Sequence, residues 1–267
     1  MSFLAALAYA LLMSAIPLAE VVWSGRSPAS LVLLFWFETV LGLVTGAIRI
    51  VVHRRATAKA GHHVPTGVVS DANAGAEEAL RQLGGENTYL RHFLGITAVF
   101  TIAHGVFVLL LVFLFRIAGP LSSADAAVAL GWATAVQVGF LLADLPRIAS
   151  WSFAELGQVV GQTSIRVLVT QASLILGLPA AAVFGPWGLA GMLIGLRAFA
   201  DAGIAWIGGL MKQPDLPAGM RRFLARRARQ TEASLEAEFD ALKEKGRDVE
   251  TLLERPIAEV RAQHPAR

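Results

Sequence analysis

The chain reads as an all-α polytopic membrane protein: a bundle of six transmembrane helices followed by a cytoplasmic C-terminal helix. Three observations predict this class. Of 267 residues, 55% are hydrophobic and only 16% charged, against about 25% charged in a soluble domain, and the mean hydropathy is +0.58. Six stretches reach the ~20 apolar residues that cross ~30 Å of hydrocarbon. The charges gather between and after those stretches, where water is within reach.

The first stretch, 3–22, is apolar almost from the start. No basic region precedes Phe3–Leu18, so it reads as a retained helix rather than a cleaved signal peptide. The second, 30–52, leads into a loop over 53–91 rich in Gly and Ala, with a short helix expected at Ala76–Leu83 and with His62 and His63 read as a solvated pair. The third and fourth spans are 93–115 and 125–144. After them, Ser152 and Glu155 have capping-box spacing, which predicts a short interfacial helix beside Trp151 and Phe153. The fifth and sixth spans, 164–184 and 189–210, are joined by Gly185-Pro186-Trp187-Gly188, a tight turn that makes them an antiparallel hairpin. We therefore divide the chain into a membrane domain, 1–212, carrying the loop 53–91, and a cytoplasmic tail, 213–267.

Lys and Arg set the expected orientation. Arg54, Arg55, Lys59, Arg81 and Arg91 follow the second span. Arg147 and Arg166 flank the entry to the fifth, and Lys212 opens the tail. The other side offers only Arg26 and Arg116. Both termini are expected in the cytoplasm, with the chain a multi-pass protein of the inner (plasma) membrane. The tail, 215–262, reads as one long helix, with Leu235, Phe239, Leu242, Val249, Leu252, Leu253, Ile257 and Val260 mostly at three- and four-residue steps. Gly246 and Pro256 weaken that pattern. The tail starts with apolar anchors among Arg221, Arg222, Arg226 and Arg227, a composition suited to anionic lipid head groups. Beyond the bilayer, a homo-oligomer through the C-terminal helix is the partner this pattern suggests. The net charge of +3 is accounted for by topology, so nucleic acid is not expected.

Inside the spans the polar residues collect on limited faces. Glu38, Gly42, Thr45, Gly46 and Arg49 share one face of the second span, and Thr97, Thr101 and His104 one face of the third. Thr134, Gln137 and Asp144 group on the fourth; Thr170 and Ser173, with Gln171 beside them, on the fifth. The sixth has a smooth face of Gly188, Gly191, Gly195, Ala198 and Ala202, and a charged face of Arg197 and Asp201. Gly42-x-x-x-Gly46 and Gly191-x-x-x-Gly195 predict close helix packing. Trp36 and Trp132 are the tryptophans deep enough to line a cavity.

A charge at mid-bilayer costs from ~2.5 to ~17 kcal/mol, so such residues need a partner or a water-filled cavity. Counted inward at ~1.5 Å per residue, Glu38, His104, Gln137 and Arg197 fall near one plane, with Asp201 and Gln171 about a turn further in. These six are the candidate polar network. Two readings of it stand. In one, Arg197 pairs with Asp201 at i, i+4 and with Glu38, and the network fixes helix register in a scaffold. In the other, it lines a route for a small solute or ion.

Chemistry is narrowed by what is missing from the sequence. With no cysteine there is no thiolate metal site or cysteine nucleophile. There is no His-Glu-x-x-His, no lysine inside any span, and only His104 and Glu38 as deep metal ligands. No catalytic residue, cofactor or metal is assigned, and the reading leans away from an enzyme.

Three fragments carry a family resemblance: Leu34-Phe35-Trp36-Phe37-Glu38-Thr39, Ile102-Ala103-His104-Gly105-Val106-Phe107 and Leu196-Arg197-Ala198-Phe199-Ala200-Asp201. Over roughly residues 5–210 the chain resembles a prokaryotic integral-membrane family, domain of unknown function 6498. The resemblance implies a polytopic helical fold and singles out Glu38, His104 and Asp201, and it implies no established activity. Where that family often has lysine, this chain has Arg197, which does not readily give up its proton.

Overall fold

The structure, a computed structural model, describes residues 28–66, 76–211 and 232–264. All regular structure among them is helical. We label the helices α1 (Pro28–Thr57), α2 (Ala76–Arg81), α3 (Thr88–Leu109), α4 (Ser123–Asp144), α5 (Phe153–Phe184), α6 (Pro186–Met211), α7 (Glu232–Glu254) and α8 (Ile257–Gln263). Short 3-10 turns lie at Ala60–His63 and Ile148–Ser150, and a π turn, Leu110–Leu114, extends α3.

Five of these helices are long and apolar enough to cross a membrane, over Pro28–Thr57, Thr88–Leu114, Ser123–Asp144, Phe153–Phe184 and Pro186–Ile204. The expected first span, 3–22, lies outside the described residues.

Local chemistry accounts for the helix ends. Pro28 and Pro186 open α1 and α6, where their fixed φ suits the first turn and no N–H is needed. The Ser122 hydroxyl accepts from the Asp125 N–H at 3.0 Å to cap α4. At α5 the predicted capping box is formed in full: Glu155 N–H donates to Ser152 Oγ at 3.1 Å, and Ser152 N–H to Glu155 Oε2 at 2.7 Å. The helix it starts is not a short interfacial one, however. It runs unbroken for 32 residues to Phe184, because nothing between Phe153 and the fifth span breaks a helix, and Pro179 is absorbed, as membrane helices allow.

The α5–α6 hairpin is as expected. Gly185 adopts φ +64°, a left-handed conformation that ends α5 cheaply only as glycine. Gly188 N–H then donates to Gly185 O at 3.0 Å. A Cβ on Gly188 would lie 2.2 Å from the Ala180 carbonyl oxygen, so the two helices meet backbone to backbone.

The chain divides into two compact units. The first comprises 28–48, 94–146 and 160–209 of the described residues. Its core is built from Leu31, Val32 and Phe35 of α1, Val108 of α3 and Leu111 of its π turn, Leu174 of α5, and Leu189 and Leu193 of α6. Large apolar side chains on its outside, such as Ile102, Phe140, Ile175 and Val183, are more than half exposed, the pattern of a lipid-facing surface. Trp132 on α4 is among them at 62%, which corrects its expected place beside a cavity. Gly42 packs 2.9 Å from the Thr163 methyl, measured from an ideal Cβ. Gly191 and Gly195 show no such approach: among the described residues nothing lies within 4 Å of a Cβ on either. The close packing expected there occurs instead at Gly188, Gly177 and Gly105.

The second unit comprises Arg49–Phe93, Arg147–Val159 and the chain from Leu210 onward. In it the tail folds back on the loop. Lys59 and Pro256 form an antiparallel bridge, with Ala60 N–H donating to Arg255 O (2.8 Å) and Ile257 N–H to Ala58 O (3.2 Å). Pro256 thus ends one helix and opens the next, and the single long tail helix is corrected to α7 and α8. The tail's apolar positions Val249, Leu252, Leu253 and Val260 are buried.

Candidate functional site

In the first unit an ionic chain crosses three helices. The Arg197 guanidinium on α6 is ion-paired with Glu38 on α1 and lies 4.7 Å above the Phe35 ring, one α-helical turn before Glu38. Its Nε stands 4.0 Å from Asp201 Oδ2. Asp201 Oδ1 in turn is 3.6 Å from Arg166 Nε on α5. The four formal charges cancel. Arg197, Glu38 and Asp201 keep 21%, 26% and 30% of their side-chain surface, and Arg166 keeps 47%. The chain is therefore neither sealed nor fully open.

The other predicted members are placed separately. His104 is buried on α3, and neither ring nitrogen has a hydrogen-bond partner among the described residues. Thr101 Oγ1, three residues earlier, is also buried and unpartnered. The Trp36 indole closes this region: it donates to the Thr101 carbonyl at 3.2 Å and packs where a Cβ on Gly105 would be 2.8 Å from it. Gln171 on α5 donates to Phe100 O at 2.9 Å, an interhelical tie to backbone. Gln137 is half-buried on α4. Among the described residues no hydrogen bond or ion pair joins His104, Gln137 or Gln171 to the ionic chain.

Arg166 is the member that the sequence reading missed. From the sequence alone it reads as a topology marker, although it falls inside the fifth span on the same face as Thr170, whose hydroxyl donates to its carbonyl at 2.8 Å. That spacing was the available signal. Phe35, beneath Arg197, carried no such signal.

The second unit holds a histidine cluster that the sequence placed wrongly. His62 and His63 are not solvated: they are 1% and 4% exposed, in the 3-10 turn Ala60–His63. Burial follows from contacts distant in sequence. Phe153 presses edge-on against the His62 ring at 5.1 Å, and a Cβ on Gly61 would collide with the Phe153 ring at 2.4 Å. His62 Nε2 is 2.8 Å from His53 Nδ1, and His53 Nε2 is 3.1 Å from the Trp151 carbonyl. Lys59 donates to the same carbonyl (2.9 Å) and is ion-paired with Glu254, which also accepts from the Phe153 N–H. Burial, then the neighbouring His53, Arg54, His63 and Lys59, pull the His62 pKa down to about 3. Burial lowers that of His63 as well, with Arg261 adding to it. Among the described residues no group of three or more His, Cys, Asp or Glu is placed to hold a metal ion.

Long apolar helices with lipid-facing exteriors and an interior ionic chain define a multi-pass helical membrane protein. Within that class the chain belongs to DUF6498, a family of unknown function, whose family model matches residues 2–234. No curated protein and no solved structure matches the chain. The family match reaches past the 5–210 expected and stops just inside α7, so most of the folded tail lies beyond it.

Proposed function

We propose that the first unit carries a route for a small solute or ion across the membrane, with Glu38, Arg197, Asp201 and Arg166 as its polar site. The observation that carries this reading is the loose hold on Asp201. Its contacts to Arg166 and Arg197 are 3.6 and 4.0 Å, whereas a formed charge-assisted hydrogen bond is about 2.7–2.9 Å. A carboxylate held loosely between two guanidiniums, and 30% exposed, can exchange one partner for a solute without stranding a charge. His104 adds a buried imidazole with both nitrogens free to take part.

In this reading the membrane domain extends to residue 212, both termini are cytoplasmic, and the basic segment with Arg221, Arg222, Arg226 and Arg227 meets anionic head groups. That segment and the boundary at 212–213 lie outside the described residues. Self-association through the C-terminal helix is retained as a proposal for α7.

A second reading, a structural register lock in a membrane scaffold, is favoured by the tight Glu38–Arg197 pair and by the cancelling charges. The absence of cysteine from the sequence supplies the test. In liposomes, Asp201→Cys should react with a membrane-impermeant maleimide, while the lipid-facing control Phe199→Cys should not. If the folded Asp201→Cys variant fails to react from either side of the membrane, the route is ruled out.

A further inference from the structure

The second unit contains two buried polar atoms that the fold leaves unmatched, and both belong to one cluster. The Trp151 carbonyl can only accept, so His53 Nε2 carries a proton and donates to it. A neutral His53 then presents a lone pair at Nδ1, which accepts from His62 Nε2–H. This fixes His62 Nδ1 as a bare lone pair, buried and without a partner. Arg54 Nη1, a donor, is likewise buried and without a partner. Leaving such groups unmatched is costly, and more so for a charged one.

The remaining contacts of the cluster are slack. Arg261 Nη2 lies 3.5 Å from His63 Nδ1 and 3.4 Å from Gly84 O, and His63 Nδ1 is 3.4 Å from the same carbonyl. Arg261 is exposed. The titratable and charged groups around His62 are His53 and Arg54 on α1, Lys59 just before the turn, His63 in it, and Tyr89 edge-on at 6.4 Å; Glu86 and Arg261 face His63. Glu254 is committed to Lys59 and the Phe153 N–H. The cluster therefore has donors and an excess of positive charge, against which only the exposed Glu86 stands near His63.

We infer that Arg54, His62, His63 and Arg261 form a binding site for a phosphate-type oxyanion that is taken up together with a proton. The anion accepts from the Arg54 and Arg261 guanidiniums. The proton settles on His62 Nδ1, turning the bare lone pair into a third donor. Without the anion that proton would sit among Arg54, Lys59 and His63 uncompensated, so the two bind as a pair. The same chemistry is offered by free phosphate and by the phosphate of an anionic lipid head group.

Sulfate is the suitable probe, because its charge is constant through the range tested. The full chain in neutral detergent is titrated with sodium sulfate against sodium chloride at matched ionic strength, reading the melting temperature. Sulfate should raise it, with an apparent affinity that climbs by up to about tenfold per pH unit from pH 7 to pH 5. Arg54→Gln or Arg261→Gln should weaken binding by about 10–100-fold, the worth of a hydrogen bond to a charged group. In a folded His62→Asn variant the pH dependence should vanish. A second arm replaces sulfate with phosphatidylglycerol against phosphatidylcholine vesicles. Protection by phosphatidylglycerol alone, lost in Arg54→Gln, supports the site and assigns it to a head group; protection by sulfate supports it for a free anion. No response to either probe overturns the inference, as does a response unchanged in both arginine variants. So does an affinity that does not vary with pH.

Discussion

Arg197 is ion-paired with Glu38 across 159 positions of sequence, a charged tie between α6 and α1 inside the first unit. The pair is about three-quarters covered, so its worth depends on both partners staying charged. Removing one strands the other in a poorly hydrated place.

A double-mutant cycle on Glu38→Gln and Arg197→Gln should therefore show coupling. Interhelical polar pairs in membranes are worth about 0.6 kcal/mol on average and up to about 1.7. We expect a value toward the upper end, measured by unfolding in mixed micelles. Arg197→Lys should recover only part of it, since an ammonium loses the planar fork and the Phe35 stacking. A coupling of zero would show that the pair does not hold α1 to α6.

The glycines give a paired prediction. Gly188→Ala drives a methyl into the Ala180 carbonyl, which is backbone and cannot rotate away. It should cost about 1–3 kcal/mol, the usual penalty for overpacking. Gly191→Ala, with nothing within 4 Å of its Cβ among the described residues, should be neutral or slightly stabilising through helix propensity. Equal effects at the two positions would contradict the hairpin geometry.

These contacts also show how far the sequence could be read. The depth of Glu38 and Arg197, counted along helices of fixed rise, placed them on one level, and they do pair. The hairpin and the capping box were legible because each is local, set by residues within four positions. His62 was illegible for the opposite reason. Its burial is decided by Phe153, Tyr89 and His53, which a Gly-rich local sequence does not disclose. The break at Pro256 is similar, since the proline alone weakens a helix but the bridge to Lys59 fixes where it turns. His104 is buried on α3. Its separation from the ionic chain depends on helix rotation, which periodicity fixes only to within a broad face.

Acid should loosen the second unit. His62 has a folded-state pKa of about 3, below the ordinary value of about 6.5. Between those values the unfolded chain binds more protons, so stability falls as pH drops below about 6.5. One such group contributes a slope of about 1.4 kcal/mol per pH unit, and His63, also lowered, adds to it. Chemical unfolding followed from pH 7.5 to 4.5 measures this, and His62→Asn should flatten it. A stability that rises with acid would contradict the buried neutral imidazole.

The fold-back of the tail is equally testable. Leu253 is buried at 4%, and Leu253→Ala should cost about 2–5 kcal/mol as a large-to-small core change. Hydrogen exchange should then speed up at the Ala60 amide, which is bonded to Arg255 O. An unchanged rate at Ala60 would mean that the tail does not hold the loop.

The most direct test of the central proposal is flux through the purified protein in liposomes, driven by a proton gradient or by labelled small anions and cations. The wild type should exceed empty liposomes. Asp201→Asn should lose about tenfold or more while melting like the wild type, because the loosely held carboxylate is the exchangeable member of the chain. Glu38→Gln should lose flux together with stability. Wild-type flux no greater than that of empty liposomes, or full flux in both variants, would contradict the account and leave the ionic chain as a structural lock.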